Sequence, residues 1–146
     1  MTQTLTRADL QAVSERFQEA LRRRDPIALA ACHTPDGIVE SPMFATLRGR
    51  QAIEDAQRAF YTAFPDAANV VDATVIDPPH IAVFATMNAT HVNEFFGMPG
   101  TGRHLEFRLC RLLRMEGELI AHEARIYDFT GLLVQVGVLR AKPAKP

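Results

Sequence analysis

The chain has no tryptophan, and its 146 residues include only two tyrosines, two cysteines and two serines. Cys32 and Cys110 lie far apart in sequence, so neither a disulfide framework nor a paired zinc motif follows from them. Ser14 and Ser41 sit in no GxSxG elbow, which excludes hydrolases of that kind. The five histidines, at 33, 80, 91, 104 and 122, show no HxH or HExxH spacing, so no metal site is expected from them. Positive charge is not in excess: Lys plus Arg total 16 against 17 for Asp plus Glu, a net charge of −1. A protein that lives on a phosphate backbone usually shows a basic excess, so nucleic acid is not an expected partner. No stretch approaches the ~18 apolar residues of a membrane-spanning helix. The first residues show no basic region followed by an apolar run. A soluble, cytoplasmic protein with no membrane partner is the expectation.

What is present is an ordinary globular mixture, 47% hydrophobic and 23% charged. This length suits one domain, expected over residues 1–140, with 141–146 as a flexible tail. Thr6 followed by Asp9 opens a helix whose apolar face is Leu10, Val13, Phe17, Ala20 and Leu21. Asp25-Pro26 caps a second, short helix through Cys32. Gly37 to Ser41 reads as a strand stopped by Pro42. Gly49 begins a helix with Ile53, Ala56, Phe60 and Ala63 on one face. The remainder reads mainly as sheet, with strands at 67–76, 81–92, 104–115 and 118–128 and a last helix or strand over 131–138. The order predicts an α+β fold: one antiparallel sheet with helices packed across a single face. The opposite face would carry Phe84, Cys110, Leu112 and Tyr127, an apolar surface that suggests a homodimer formed through the sheet.

Polar groups on apolar rows are the candidate site residues. His91 continues the row Val83, Ala85, Met87, Ala89, and Asp128 continues Ile120, Ala124, Ile126. With Glu116-Gly117 as a two-residue turn, Met115 faces Glu118, Ile126 faces Phe107 and Asp128 faces Leu105. A carboxylate aimed into an apolar cavity has its anion disfavoured, which suits proton transfer near neutral pH. Two readings of Asp128 stay open: a proton-transfer group, or the cap of whatever follows Phe129-Thr130-Gly131. His91 is likewise either a site group or a loop histidine. Arg111, His33 and His122 could also reach a pocket. Gly100-Thr101-Gly102 lies between strands without a following helix and reads as a turn.

Several stretches, in this order and spacing, resemble the SnoaL-like polyketide cyclases of the nuclear-transport-factor-2-like superfamily. They are Gly49-Arg50-Gln51-Ala52-Ile53, Ala63-Phe64-Pro65-Asp66, Thr90-His91 leading to Glu94-Phe95, Gly97 to Arg103, Glu106-Phe107-Arg108, and Asp128 to Gly137. The resemblance covers roughly residues 10 to 139. It implies a cone of one curved sheet with helices closing its mouth around a pocket. It also implies ring closure of a polyketide ester by intramolecular aldol condensation, without metal or cofactor, with an aspartate as acid/base. That aspartate corresponds either to Asp128 or to the position of Arg125, and the second alternative leaves this chain without it.

The resulting expectation is a cyclase- or isomerase-type enzyme for a small apolar or aromatic organic ligand. Asp128 and His91 would be catalytic, and Phe17, Phe44, Phe60, Phe107, Arg111 and His122 would bind substrate. The rival expectations are a non-catalytic binding protein in the same cone, and an epoxide hydrolase, which in related cones uses an Asp-Arg-Asp arrangement.

Overall fold

Thr6 caps the first helix as its sequence signature requires. Its hydroxyl accepts from the Asp9 amide, and the Asp9 carboxylate accepts from the Thr6 amide. Helix α1, Arg7–Arg22, follows in the computed structural model of the protein, which describes residues 5–140. The tail expected at 141–146 lies outside the described residues. Asp25 caps α2, Pro26–Ala31, with proline at the first helical position. Strand β1, His33–Ser41, turns back into β2, Ala45–Arg48, a short strand that the sequence pattern does not reveal. Helix α3, Arg50–Ala63, precedes the long strands β3, Ala68–Asp77, and β4, His80–Thr90. Strands β5, His104–Glu116, and β6, Leu119–Tyr127, lead into α4, Phe129–Gln135.

The six strands form one curved, unclosed sheet in the order β2-β1-β6-β5-β4-β3. Strands β3 to β6 are antiparallel neighbours, as the alternation predicts. Strand β1 instead runs parallel to β6, so the sheet is mixed and the wholly antiparallel expectation is corrected. The parallel pair is possible because one helix and four strands separate β1 from β6, ample chain for a crossover.

The register of β6 decides which side chains enter the interior. Its turn is Gly117-Glu118, with Glu116 opposite Leu119 and Met115 opposite Ile120; Gly117 takes φ +60, which favours glycine. That slip moves every expected partner by two residues and keeps each side chain on its face. A second irregularity does not. Arg114 pairs with His122 directly after the Met115–Ile120 pair, leaving Ala121 without a partner. This one-residue bulge reverses the alternation beyond it. Glu123 is buried while Ile126 is 61% exposed. Tyr127, expected on the outer face, therefore points inward, and Asp128 leaves the inner row altogether.

Candidate active site

The concave side holds a cavity of about 30 Å³, room for about one or two waters. One wall is the sheet: Phe107, Leu109 and Arg111 from β5, Arg125 and Tyr127 from β6, and Met87 from β4. Helix α3 supplies Gln57 and Phe60 opposite. The end of β1 and its turn supply Ser41, Met43 and Phe44. Pockets that hold drug-sized molecules run to roughly 300–1,000 Å³, so a ring-sized ligand requires side chains at the mouth to move.

The mouth is aromatic. Ring centroids lie 5.2 Å apart for Phe107 and Tyr127, 6.5 Å for Tyr127 and Phe129, 6.3 Å for Phe129 and Phe96, and 6.0 Å for Phe96 and Phe44. This chain of rings runs from the inner wall to Phe96, which is 57% exposed. Phe96 sits on the loop between β4 and β5. That loop folds tightly on itself at Gly100, where a Cβ would lie 1.9 Å from the Val92 carbonyl oxygen.

Behind the cavity lies a charged cluster. Glu123 is wholly buried, and Arg111 is 3% exposed. Glu123 Oε2 accepts from Arg125 Nε and lies 3.6 Å from Arg111 Nε. Its other oxygen, Oε1, lies 3.0 Å from His33 Nε2, and His33 Nδ1 lies 2.9 Å from the Leu29 carbonyl oxygen. Burial pushes the Glu123 carboxyl up, but Arg125, His33 and Arg111 together outweigh it and hold the group well below the usual carboxylate range. Burial, then the like charge of Arg125, lowers Arg111 to about 10 against the opposing pull of Glu123. Arg111 donates through Nη1 to Asn69 Oδ1 at 3.3 Å, while its Nε makes no hydrogen bond. On the cavity side, the Tyr127 hydroxyl lies 3.1 Å from Ser41 Oγ, and burial raises its pKa. The resulting surface is mainly apolar, with two guanidinium groups, one neutral phenol and the uncharged polar groups of Ser41 and Gln57.

The expected site residues divide. Phe44, Phe60, Phe107 and Arg111 line the cavity. His91 is buried on the inner face, as its row predicts, but packs between Phe64 and Phe95 and pairs through Nδ1 with Thr101 Oγ1 at 3.0 Å. It pins the β4–β5 loop and does not line the cavity. Phe17 belongs to a separate aliphatic core under α1. His122 faces outward and meets Glu40 at 3.1 Å, because it stands beside the Ala121 bulge. Asp128 is exposed and caps α4, its Oδ1 accepting from the Gly131 amide at 2.8 Å. The carboxylate expected inside the pocket is thus outside it. No carboxylate lines the cavity among the described residues, so the Asp-Arg-Asp arrangement is not formed either.

Sequence reasoning missed Glu123 and Tyr127 as site residues, and it weighed Arg125 only as a departure. A signal exists: Glu123, Arg125 and Tyr127 share one face at two-residue steps. Read without the bulge, that face is the solvent side.

Among the described residues, no helix is long and apolar enough to cross a membrane. A search of curated proteins finds no match. Among solved structures, TsrD from Streptomyces laurentii is 27% identical, with 92% of this chain and 99% of that chain covered and a TM-score of 0.80. IdmH from Streptomyces antibioticus, which carries a provisional polyketide-cyclase assignment, is 24% identical over 87% of this chain and 97% of its own, with a TM-score of 0.73. A protein of ketosteroid-isomerase-like fold from Catenulispora acidiphila, crystallised with trimethylamine, is 18% identical over 86% and 92%, with a TM-score of 0.72. The last two likenesses show the shared cone alone. The family model for SnoaL-like polyketide cyclase matches residues 11–136, which span the sheet, the cavity and the charged cluster together. On that match the chain belongs to the SnoaL-like polyketide cyclase family.

Proposed function

We propose that the protein is a cofactor-independent enzyme of the cyclase or isomerase type, which closes a ring by an aldol-like step in the concave cavity. One observation carries this reading. Two guanidinium groups and a neutral phenol share one wall of an aromatic-mouthed pocket whose other polar side chains are the uncharged Ser41 and Gln57. The carbon between two carbonyls of a polyketide is already acidic, so stabilising the enolate can stand in for a strong base. Arg111 and Arg125 would favour the enolate oxygen in a site where water is scarce. Tyr127, held neutral by its raised pKa, would hydrogen-bond the forming enolate oxygen while the carbon's proton leaves to water. It would then donate a proton to the oxygen formed at the attacked carbonyl and recover one from water through Ser41. In this reading the proton-transfer role passes from Asp128 to Tyr127, and His91 keeps a structural role.

The test is deuterium exchange at the acidic carbon of a β-dicarbonyl compound in heavy water, followed by NMR. The protein should accelerate exchange, and Tyr127→Phe should cost ~10²–10⁴ in rate with the fold intact. No acceleration by the wild-type protein would refute catalysis and favour the second reading, a non-catalytic binder of small organic ligands. The specific observation behind that alternative is the absence of any carboxylate on the cavity wall among the described residues.

We further propose a homodimer through the outer face of the sheet. Phe84, Cys110 and Ile126 are direct cross-strand partners there, and Leu112 lies beside them; Phe84, Leu112 and Ile126 are exposed. An apolar row across three strands is what a second copy would cover. Light scattering should give twice the chain mass at micromolar concentration, and Ile126→Glu should give the monomer. A monomeric wild type would refute the assembly.

A further inference from the structure

The charged cluster does not balance. The Leu29 carbonyl can only accept, so the proton on His33 Nδ1 points at it. His33 Nε2 then faces an oxygen of Glu123, and a hydrogen bond between them needs a second proton. That proton sits on the ring or on the carboxyl, and in both cases the His33–Glu123 pair sums to zero. Arg111 and Arg125 are left with two positive charges and no remaining carboxylate. Both line the cavity, and no acidic residue among the described ones lines it with them.

Buried charge is normally compensated by a partner, because removing an ion from water is costly. Here Arg111 has a buried Nε without a hydrogen bond, and Arg125 makes no bond other than that to Glu123 among the described residues. Asn69 and Tyr127 contribute only dipoles beside the guanidinium groups. No side chain of the cavity wall supplies a compensating anion among the described residues. We infer that the cavity selects ligands that arrive as anions, with a carboxylate or an ionised enol set against Arg111 and Arg125 and a ring against Phe60 and Phe107. This rests on the reading of the cavity as the substrate site and adds a substrate class to it: the charge would be present before reaction, not only in the transition state.

Two matched pairs of probes test this on the full chain by calorimetric titration: benzoate against benzamide, and ionised dimedone against cyclohexanone. Each anion should bind about tenfold or more tightly than its neutral partner, the scale of one desolvated charge-assisted contact. A preference in the first pair alone identifies a carboxylate, and in the second alone an enolate. Arg125→Gln should abolish the preference, and Arg125→Lys should restore most of it, which separates charge from a damaged fold. Equal binding within each pair, no binding by any probe, or an undiminished preference in Arg125→Gln would each overturn the inference. Tyr127→Phe separates this inference from the catalytic one. Lost exchange with the anion preference intact leaves the charge inference standing, and wild-type exchange without a preference sinks it alone.

Discussion

The cone has two interiors built on different principles. Under α1, the core is mainly aliphatic: Leu10, Val13, Leu29, Ile81, Val83, Leu113 and Ile120 pack around Phe17, with Tyr61 against them. Toward the mouth, the core is aromatic, with Phe60, Phe64, Phe95 and Phe107 buried and Phe44, Tyr127 and Phe129 packed against them. Branched side chains interdigitate to the density of organic crystals. Rigid rings meet edge to face and at tilts, which leaves room between them. The aliphatic end therefore closes the cone, and the aromatic end holds the cavity. The seam between them is the charged cluster: Arg111 lies between Leu109 and Leu113 on β5, and Glu123 between Ile120 and Arg125 on β6.

This contrast can be broken at the seam first. Glu123→Gln leaves the buried guanidinium of Arg111, the half-buried one of Arg125 and His33 without their anion, and should cost ~3–5 kcal/mol in urea unfolding. The same group makes the seam acid-sensitive. Its folded pKa lies below the unfolded value of about 4.3, so its contribution is complete above that pH and is lost as pH falls toward the folded value. Stability measured from pH 6 down to about pH 3 should fall more steeply for the wild type than for Glu123→Gln. Parallel curves would show that the buried carboxylate does not set the acid limit.

The two interiors should then answer truncation differently. Phe17→Ala empties the tightly packed end and should lose ~3–5 kcal/mol. Phe44→Ala removes a half-buried ring at the mouth and should lose only about 1 kcal/mol while admitting larger ligands. Equal losses would mean that the mouth is packed as tightly as the closed end. The smallest effect is expected outside both. Asp128→Ala removes the cap of α4 and should cost ~1 kcal/mol, with little change in exchange rate. A large loss of rate with unchanged stability would restore Asp128 as the acid/base group.

Much of this was legible before any coordinates. The Thr6–Asp9 and Asp25-Pro26 signatures name two helix starts because a cap is a local event, complete within four residues. Alternation set Phe107 on the inner row of β5, and the structure continues that row to Arg111, because the strand keeps its period to Arg114. Phe44 and Phe60, expected as substrate-binding rings, line the cavity. Phe17 lies away from that cavity, in the core under α1, and an aromatic residue on a helix stripe looks the same in sequence whichever interior it faces.

What the sequence determined by itself is therefore the inventory and the local geometry: the caps, the strands β3 to β6, the family, and the supply of rings and guanidinium groups. Only the tertiary structure decided which face of β6 is inside. One unpaired residue, Ala121, turns Glu123, Arg125 and Tyr127 inward and sends Ile126 and Asp128 out. No local signal marks that bulge, because it arises where β6 lies between β5 and the parallel β1, a strand far from it in sequence. A buried ion cluster and a solvent-facing row are written with the same residues. The difference between them is burial, which belongs to the whole sheet and not to the strand.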